Sequence, residues 1–117
     1  MSSLSKLSER VVEFRDARNW GQFHSLKNLI VSLNIEASEL LELVQWKDDA
    51  TVERDEADDT FRQHVSEEAA DVLIYLLLIA DRGGFDLLEA AHRKIEHNEE
   101  KYPVHKAYGS AEKYDKL

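Results

Sequence analysis

Glu36 and Glu39 stand three residues apart, and Glu68 and Asp71 repeat that spacing further along the chain. On a helix, positions i and i+3 project from one side, so each pair aims two carboxylates in one direction. Taken alone, Glu36 and Glu39 read as solvated surface glutamates, as most glutamates are. The second pair is different, because Asp71 lies in a stretch, residues 69–80, whose only polar side chains are Asp71 and Tyr75. A bare carboxylate in apolar surroundings must protonate or find a partner. The positions within helical reach, 67, 68, 74, 75 and 78, hold no Lys or Arg, and Tyr75 can offer a hydrogen bond but no charge. If the two helices pack side by side, the four acids converge, and their mutual repulsion calls for a divalent cation. The chain has no cysteine, so any metal is held by oxygen or imidazole, and these four acids offer oxygen alone. That selects Mg²⁺, with Mn²⁺ as a substitute, and Mg²⁺ keeps positions open for water and phosphate oxygens. The chemistry implied is metal-assisted phosphoryl transfer.

Helices must position these acids, and the spacing predicts them. One proline and four glycines leave few breaks, and the segments between follow a 3.6-residue period. A first helix is predicted over residues 3–17, with Leu4, Leu7, Val11 and Phe14 as its stripe, ended by Asn19-Trp20-Gly21. A second runs over residues 25–46, where eight apolar residues from Leu26 to Val44 fall within an arc of about 120°. Residues 48–59 form an acidic connection, partly helical and more a solvated loop than a site. A third helix covers residues 60–81. It is apolar all round from residue 69, and such a helix is buried all round. Gly83-Gly84 stops it. Asp86 and Glu89 then make a capping-box start for a fourth helix carrying Leu87, Leu88, Ala91 and Ile95, which Pro103 terminates. Residues 104–117 are a polar tail. The reading is a single all-α domain over residues 1–117, a four-helix bundle-like fold. A bundle of this size rarely encloses one helix completely, so the third helix is expected to meet a second copy, the alternative being that the tail and the first helix cover it within one chain.

The balance of 15 Lys and Arg against 24 Asp and Glu, a net charge of −9, opposes binding to nucleic acid through its phosphates. It permits a small phosphorylated ligand carried by a cation. Residues 1–10 lack the apolar centre of a signal peptide and the apolar run at 72–80 is too short to span a bilayer, so a cytoplasmic protein without a membrane partner is expected.

The pattern Glu36-x-x-Glu39 followed by Glu68-x-x-Asp71 resembles the signature of the all-α nucleoside triphosphate pyrophosphatases, the MazG-like group. Further segments are similar to its dCTP pyrophosphatase branch: Asn19-Trp20-Gly21-Gln22-Phe23-His24, Glu36-Ala37-Ser38-Glu39-Leu40-Leu41-Glu42-Leu43, Gln45-Trp46-Lys47, Glu67-Glu68-Ala69-Ala70-Asp71-Val72-Leu73-Ile74-Tyr75-Leu76 and Lys101-Tyr102-Pro103. The resemblance covers nearly the whole chain. It implies the MazG fold, a nucleoside triphosphate substrate bound with Mg²⁺, and attack of water on the α-phosphorus. The products would be monophosphate and pyrophosphate, in nucleotide-pool housekeeping, with dCTP or a related pyrimidine deoxynucleotide as substrate. It also implies a homodimer or homotetramer with active sites near subunit boundaries, and metal binding by Glu36, Glu39, Glu68 and Asp71. Glu36 and Glu39 are the candidates for activating the water.

Trp20 and Trp46 flank the second helix; aromatic faces suit base stacking and equally suit packing, and the resemblance favours the base. His24 can meet a base edge or a phosphate, or merely start a helix. Lys94, Asn98, Lys101 and Tyr102 share one side of the fourth helix, as triphosphate ligands would or as a solvated helix end would. The resemblance adds Lys94, Asn98 and Tyr102 to the substrate site, with Lys113 from the tail and Tyr75 beside the acids. Val11 and Val12 stand where some relatives carry a histidine, which leaves base selectivity open. Two rival readings remain. A di-iron carboxylate bundle needs two Glu-x-x-His pairs, and only Glu89 to His92 fits. A non-catalytic helical interaction module needs no metal at all.

Overall fold

The computed structural model describes residues 2–117; Met1, included in the expected domain, lies outside them. Those residues form six α-helices and two 3-10 turns with no strand. They group into two compact units, one reaching to Gly84 and one spanning Phe85–Leu117.

In the first unit α1 is Ser3–Ala17, α2 Leu26–Glu42, α3 Asp49–Asp55 and α4 Asp59–Gly83, with a 3-10 turn at Trp20–Phe23. Each helix begins where a short polar side chain takes up an orphan N–H: Ser2 accepts from Ser5, Ser25 from Asn28, Asp48 from Thr51 and Asp58 from Thr60. Caps of this kind contribute about 1 kcal/mol each. Asn19 adopts a left-handed φ of 53° and turns the chain out of α1, a conformation Asn tolerates better than most residues. Gly84, at φ 71°, ends α4 in the same way without a Cβ to clash.

α2 packs along α4, and α1 packs on α4 from another side. The buried apolar residues are Val11 of α1, Leu29 of α2 and Leu77, Leu78 and Ala80 of α4. Arg15 of α1 bridges Asp16 at 2.9 Å and Asp81 of α4 at 2.8 Å, which fixes the rotation of α1 against α4.

One expectation changes. The second helix ends at Glu42 rather than at residue 46: from there Leu43 and Val44 donate to carbonyls three residues back, at Leu40 and Leu41, and the chain tightens into turns. The turn leads to Asp48, whose extended backbone (φ −83°, ψ 169°) caps α3. The third helix is only partly covered in the single chain, as expected of a bundle this small. Ala69 and Ala70 are exposed and Ile74 is 37% exposed, because α1 and α2 leave part of its circumference uncovered.

The second unit contains α5, Leu87–Lys101, α6, Val104–Ala107, and a 3-10 turn at Tyr114–Lys116. Asp86 caps α5 by accepting from the Glu89 N–H. Glu89 turns its own side chain toward Arg93, at 3.6 Å, so half of the capping box forms. Tyr114 folds back edge-on to Tyr102, with ring centroids 6.2 Å apart, and Lys101 lies over the Tyr114 ring at 4.7 Å. Among the described residues no helix is long and apolar enough to cross a membrane.

Candidate functional site

The α2–α4 packing brings Glu36 and Glu39 of α2 to Glu68 and Asp71 of α4, with one carboxylate oxygen from each lying within 4.8 Å of all the others. The i, i+3 spacing on both helices aligns the pairs, and side-by-side packing closes them into one cluster. Glu36 and Glu68 are half-buried, and the Glu68 Oε2 atom is buried without a hydrogen-bond partner. Burial pushes the Glu36 carboxyl above the ordinary carboxylate range, helped by the hydrogen bond its protonated form can donate to Glu39 and by the charges of Glu39, Asp71 and Glu68. Burial raises Glu68 as well, followed by the hydrogen bond its protonated form can donate to Glu39 and by the charges of Glu39, Asp71 and Glu67. The protein alone thus resists full ionisation of the group.

A hard divalent cation fits this donor set. Mg²⁺ holds oxygens at 2.0–2.1 Å, so ligands on opposite sides of one ion stand about 4.2 Å apart, close to the span seen here. The orphaned Glu68 oxygen is the kind of atom such an ion satisfies. The cluster contains no histidine, which removes the ligand pattern of a di-iron bundle. An apolar cavity of about 700 Å³ opens alongside, between α2, α3 and α4, lined by Ala37, Leu40, Val44, Val52, Phe61 and Val65 among others.

Trp46 follows α2 in the 43–47 turn and is 89% exposed, so within this chain it is not a packing residue. Trp20 is 45% exposed and meets the Phe14 ring edge-on at 5.6 Å. The 17 residues of α2 separate the two tryptophans by about 25 Å along its axis. Tyr75 sits half-buried one turn beyond Asp71. In the second unit Lys94 and Asn98 are exposed on α5, Tyr102 is half-buried against Tyr114, and Lys113 is exposed just before the last 3-10 turn.

His24 lies away from the acids, about 15 Å along α2 from Glu36 by helix rise. It lines a polar cavity of about 330 Å³ with Arg15, Gly21, Leu29, Asp81 and Arg82. Its Nδ1 is buried without a partner, and burial, then the Arg15 charge, hold its pKa below the ordinary 6.5. The native state therefore prefers a neutral imidazole. Below pH 6.5 the unfolded chain takes up a proton that the folded chain resists, so stability falls as pH drops from 6.5 through the depressed native value. Urea unfolding of the wild type and His24→Gln between about pH 7.5 and 5.5 should show a shallower decline in the variant. Identical slopes would remove His24 as a contributor.

One group escaped sequence reasoning. Lys47 reaches Asp55 of α3 at 2.7 Å and lies 5.1 Å from the Phe61 ring of α4. Asp55 is one acid among many in residues 48–59, and nothing in its spacing marks it.

Residues 31–117 match the MazG-like family. The chain is 44% identical over 105 residues to dCTP pyrophosphatase 1 of Rattus norvegicus, covering 90% of this chain and 62% of the rat protein. Identity to the Homo sapiens protein of the same name is 41% over the same length and shares. The chain thus spans less than two thirds of these mammalian relatives. A solved pyrophosphatase from Archaeoglobus fulgidus superposes with a TM-score of 0.79 at 44% identity, covering 88% of this chain and 94% of that one.

Proposed function

The chain belongs to the MazG-like family, and on that premise we propose that it hydrolyses nucleoside triphosphates with Mg²⁺ to the monophosphate and pyrophosphate. Mn²⁺ serves as a substitute. Its substrates are dCTP or related pyrimidine deoxynucleotides, in a cytoplasmic pool-cleaning role. The observation that carries this reading is the convergence of Glu36, Glu39, Glu68 and Asp71 within 4.8 Å. The names of the rat and Archaeoglobus fulgidus proteins support it.

Glu36, Glu39, Glu68 and Asp71 hold the ion, which when bound supplies charge neutralisation and polarisation of phosphate oxygens. Glu36 or Glu39 takes the proton from the attacking water. The apolar cavity beside the acids and the exposed face of Trp46 receive the base; Tyr75 lies next to the acids as a donor. Lys94, Asn98, Tyr102 and Lys113 bind the triphosphate, supplying positive charge and hydrogen-bond donors.

Trp20 and Trp46 cannot clamp one base within a single chain, given their separation. A homodimer, or a homotetramer built from it, in which Trp20 and His24 of one copy complete the pocket of the other, removes that difficulty. It also covers Ile35, 55% exposed, and Leu41, 54% exposed, on α2. We propose that residues 1–117 act as one four-helix bundle-like domain in that assembly.

The test is incubation with dCTP, dTTP, dUTP and ATP, with and without Mg²⁺, and separation of the products. Monophosphate and pyrophosphate, formed only with the metal and fastest from a pyrimidine, are expected. Diphosphate and orthophosphate would mean cleavage at a different bond. No turnover and no Mg²⁺ effect on stability would leave a helical interaction module.

A further inference from the structure

Trp46 is 89% exposed, so its own side chain is anchored by almost nothing and its direction comes from the backbone that carries it. That backbone is no longer helical. Leu43 and Val44 hydrogen-bond three residues back, and Lys47 donates to the Val44 carbonyl at 3.0 Å. Turns of this kind are soft unless something outside them holds on. Here the hold is the next side chain. Lys47 Nζ lies 2.7 Å from Asp55 Oδ2 and 5.1 Å from the centre of the Phe61 ring, so one ammonium group ties the turn to both α3 and α4. Lys47 and Asp55 side chains are 38% and 31% exposed, which shields the pair from part of the screening an open surface pair suffers. Asp48, the following residue, is fixed in turn by capping α3 through the Thr51 N–H. The acidic segment after α2 is therefore a brace for the tryptophan turn, and Val52 on it also lines the apolar cavity beside the acids.

We propose that Lys47 is a positioning residue that sets nucleotide affinity through Trp46, its bridge to Asp55 and its seat over Phe61 holding the turn from which the indole projects. The inference rests on the reading of Trp46 as the platform for the base. Lys47 touches no substrate in this account, because its charge is already matched by Asp55. A lysine that gripped phosphate directly would act whether or not the indole were present.

That difference is measurable in a double-mutant cycle on the full chain with Mg²⁺ and the nucleotide it turns over fastest. Lys47→Met keeps the aliphatic stem and removes the charge. It should raise KM about 3–10-fold with kcat within about twofold of wild type, the size expected from losing one ion pair and one cation–π contact. Asp55→Asn, which leaves the lysine in place, should raise KM in the same direction. Trp46→Ala should raise KM about 5–150-fold, as loss of base stacking does. In the Trp46→Ala background, Lys47→Met should add nothing. An undiminished effect of Lys47→Met in that background, or an unchanged KM in Asp55→Asn, overturns the positioning role while leaving the base platform standing. An unchanged KM in Trp46→Ala overturns the platform reading itself, and the positioning role with it.

Discussion

Asp71→Asn is expected to lower turnover by about 10²–10⁴-fold while leaving the metal-free protein at least as stable as wild type. The size follows from what the ion contributes. A bound Mg²⁺ supplies several kcal/mol of charge stabilisation at the reacting phosphate, and each 1.36 kcal/mol is a decade in rate. Asparagine keeps the shape of aspartate and one oxygen but removes the charge, so the ion is held less tightly in the right place. The stability half follows from repulsion. With carboxylate oxygens of all four acids within 4.8 Å, taking away one negative charge relieves the cluster when no ion is present. Pyrophosphate release at saturating Mg²⁺ gives the first readout. Thermal melts with chelator and with Mg²⁺ give the second: at an ion concentration 100 times its Kd, the wild type gains about 2.7 kcal/mol, and the variant gains much less at the same concentration. A variant that turns over normally, or that gains as much from Mg²⁺, removes Asp71 from the site.

The acids were legible because two independent patterns coincide on them. Each pair repeats at i, i+3, and one pair sits in a segment too apolar to hold a carboxylate without cause. α1 was legible to its end residues, since its apolar stripe from Leu4 to Phe14 is followed by the Asn19-Trp20-Gly21 stop. α2 was overrun by four residues because Leu43 and Val44 still face the apolar cavity from a tightened turn, and periodicity cannot tell such a turn from a helix. The Lys47 brace was illegible for a different reason: an ion pair joining a turn to a separate short helix leaves no period and no motif. The exposure of Trp46 was likewise beyond reach, because an aromatic ring gives the same sequence signal in a core as on a surface.

Leu29→Ala is expected to cost about 2–5 kcal/mol, the second large effect and one on the scaffold rather than the chemistry. Leu29 is 1% exposed, the largest side chain so fully covered among the described residues. It lies on α2 two turns before Glu36 and on the same side, so the packing that buries it also sets the rotation that presents Glu36 and Glu39 to α4. Against a typical total of about 5–15 kcal/mol, that loss takes a large share of the stability and should lower Tm by more than about 10 °C. Ile35 gives the contrast on the same helix. It is 55% exposed in the single chain, and Ile35→Ala should change stability by under about 0.5 kcal/mol when the protein is dilute enough to be monomeric. At higher concentration the Ile35→Ala cost should grow, because a second copy covering that face makes the residue an interface contact and couples stability to concentration. Urea melts of both variants at two concentrations separate the cases. A Leu29→Ala cost no larger than that of Ile35→Ala would mean that α2 is not packed on α4 as described, and the carboxylates it carries would lose the scaffold that brings them together.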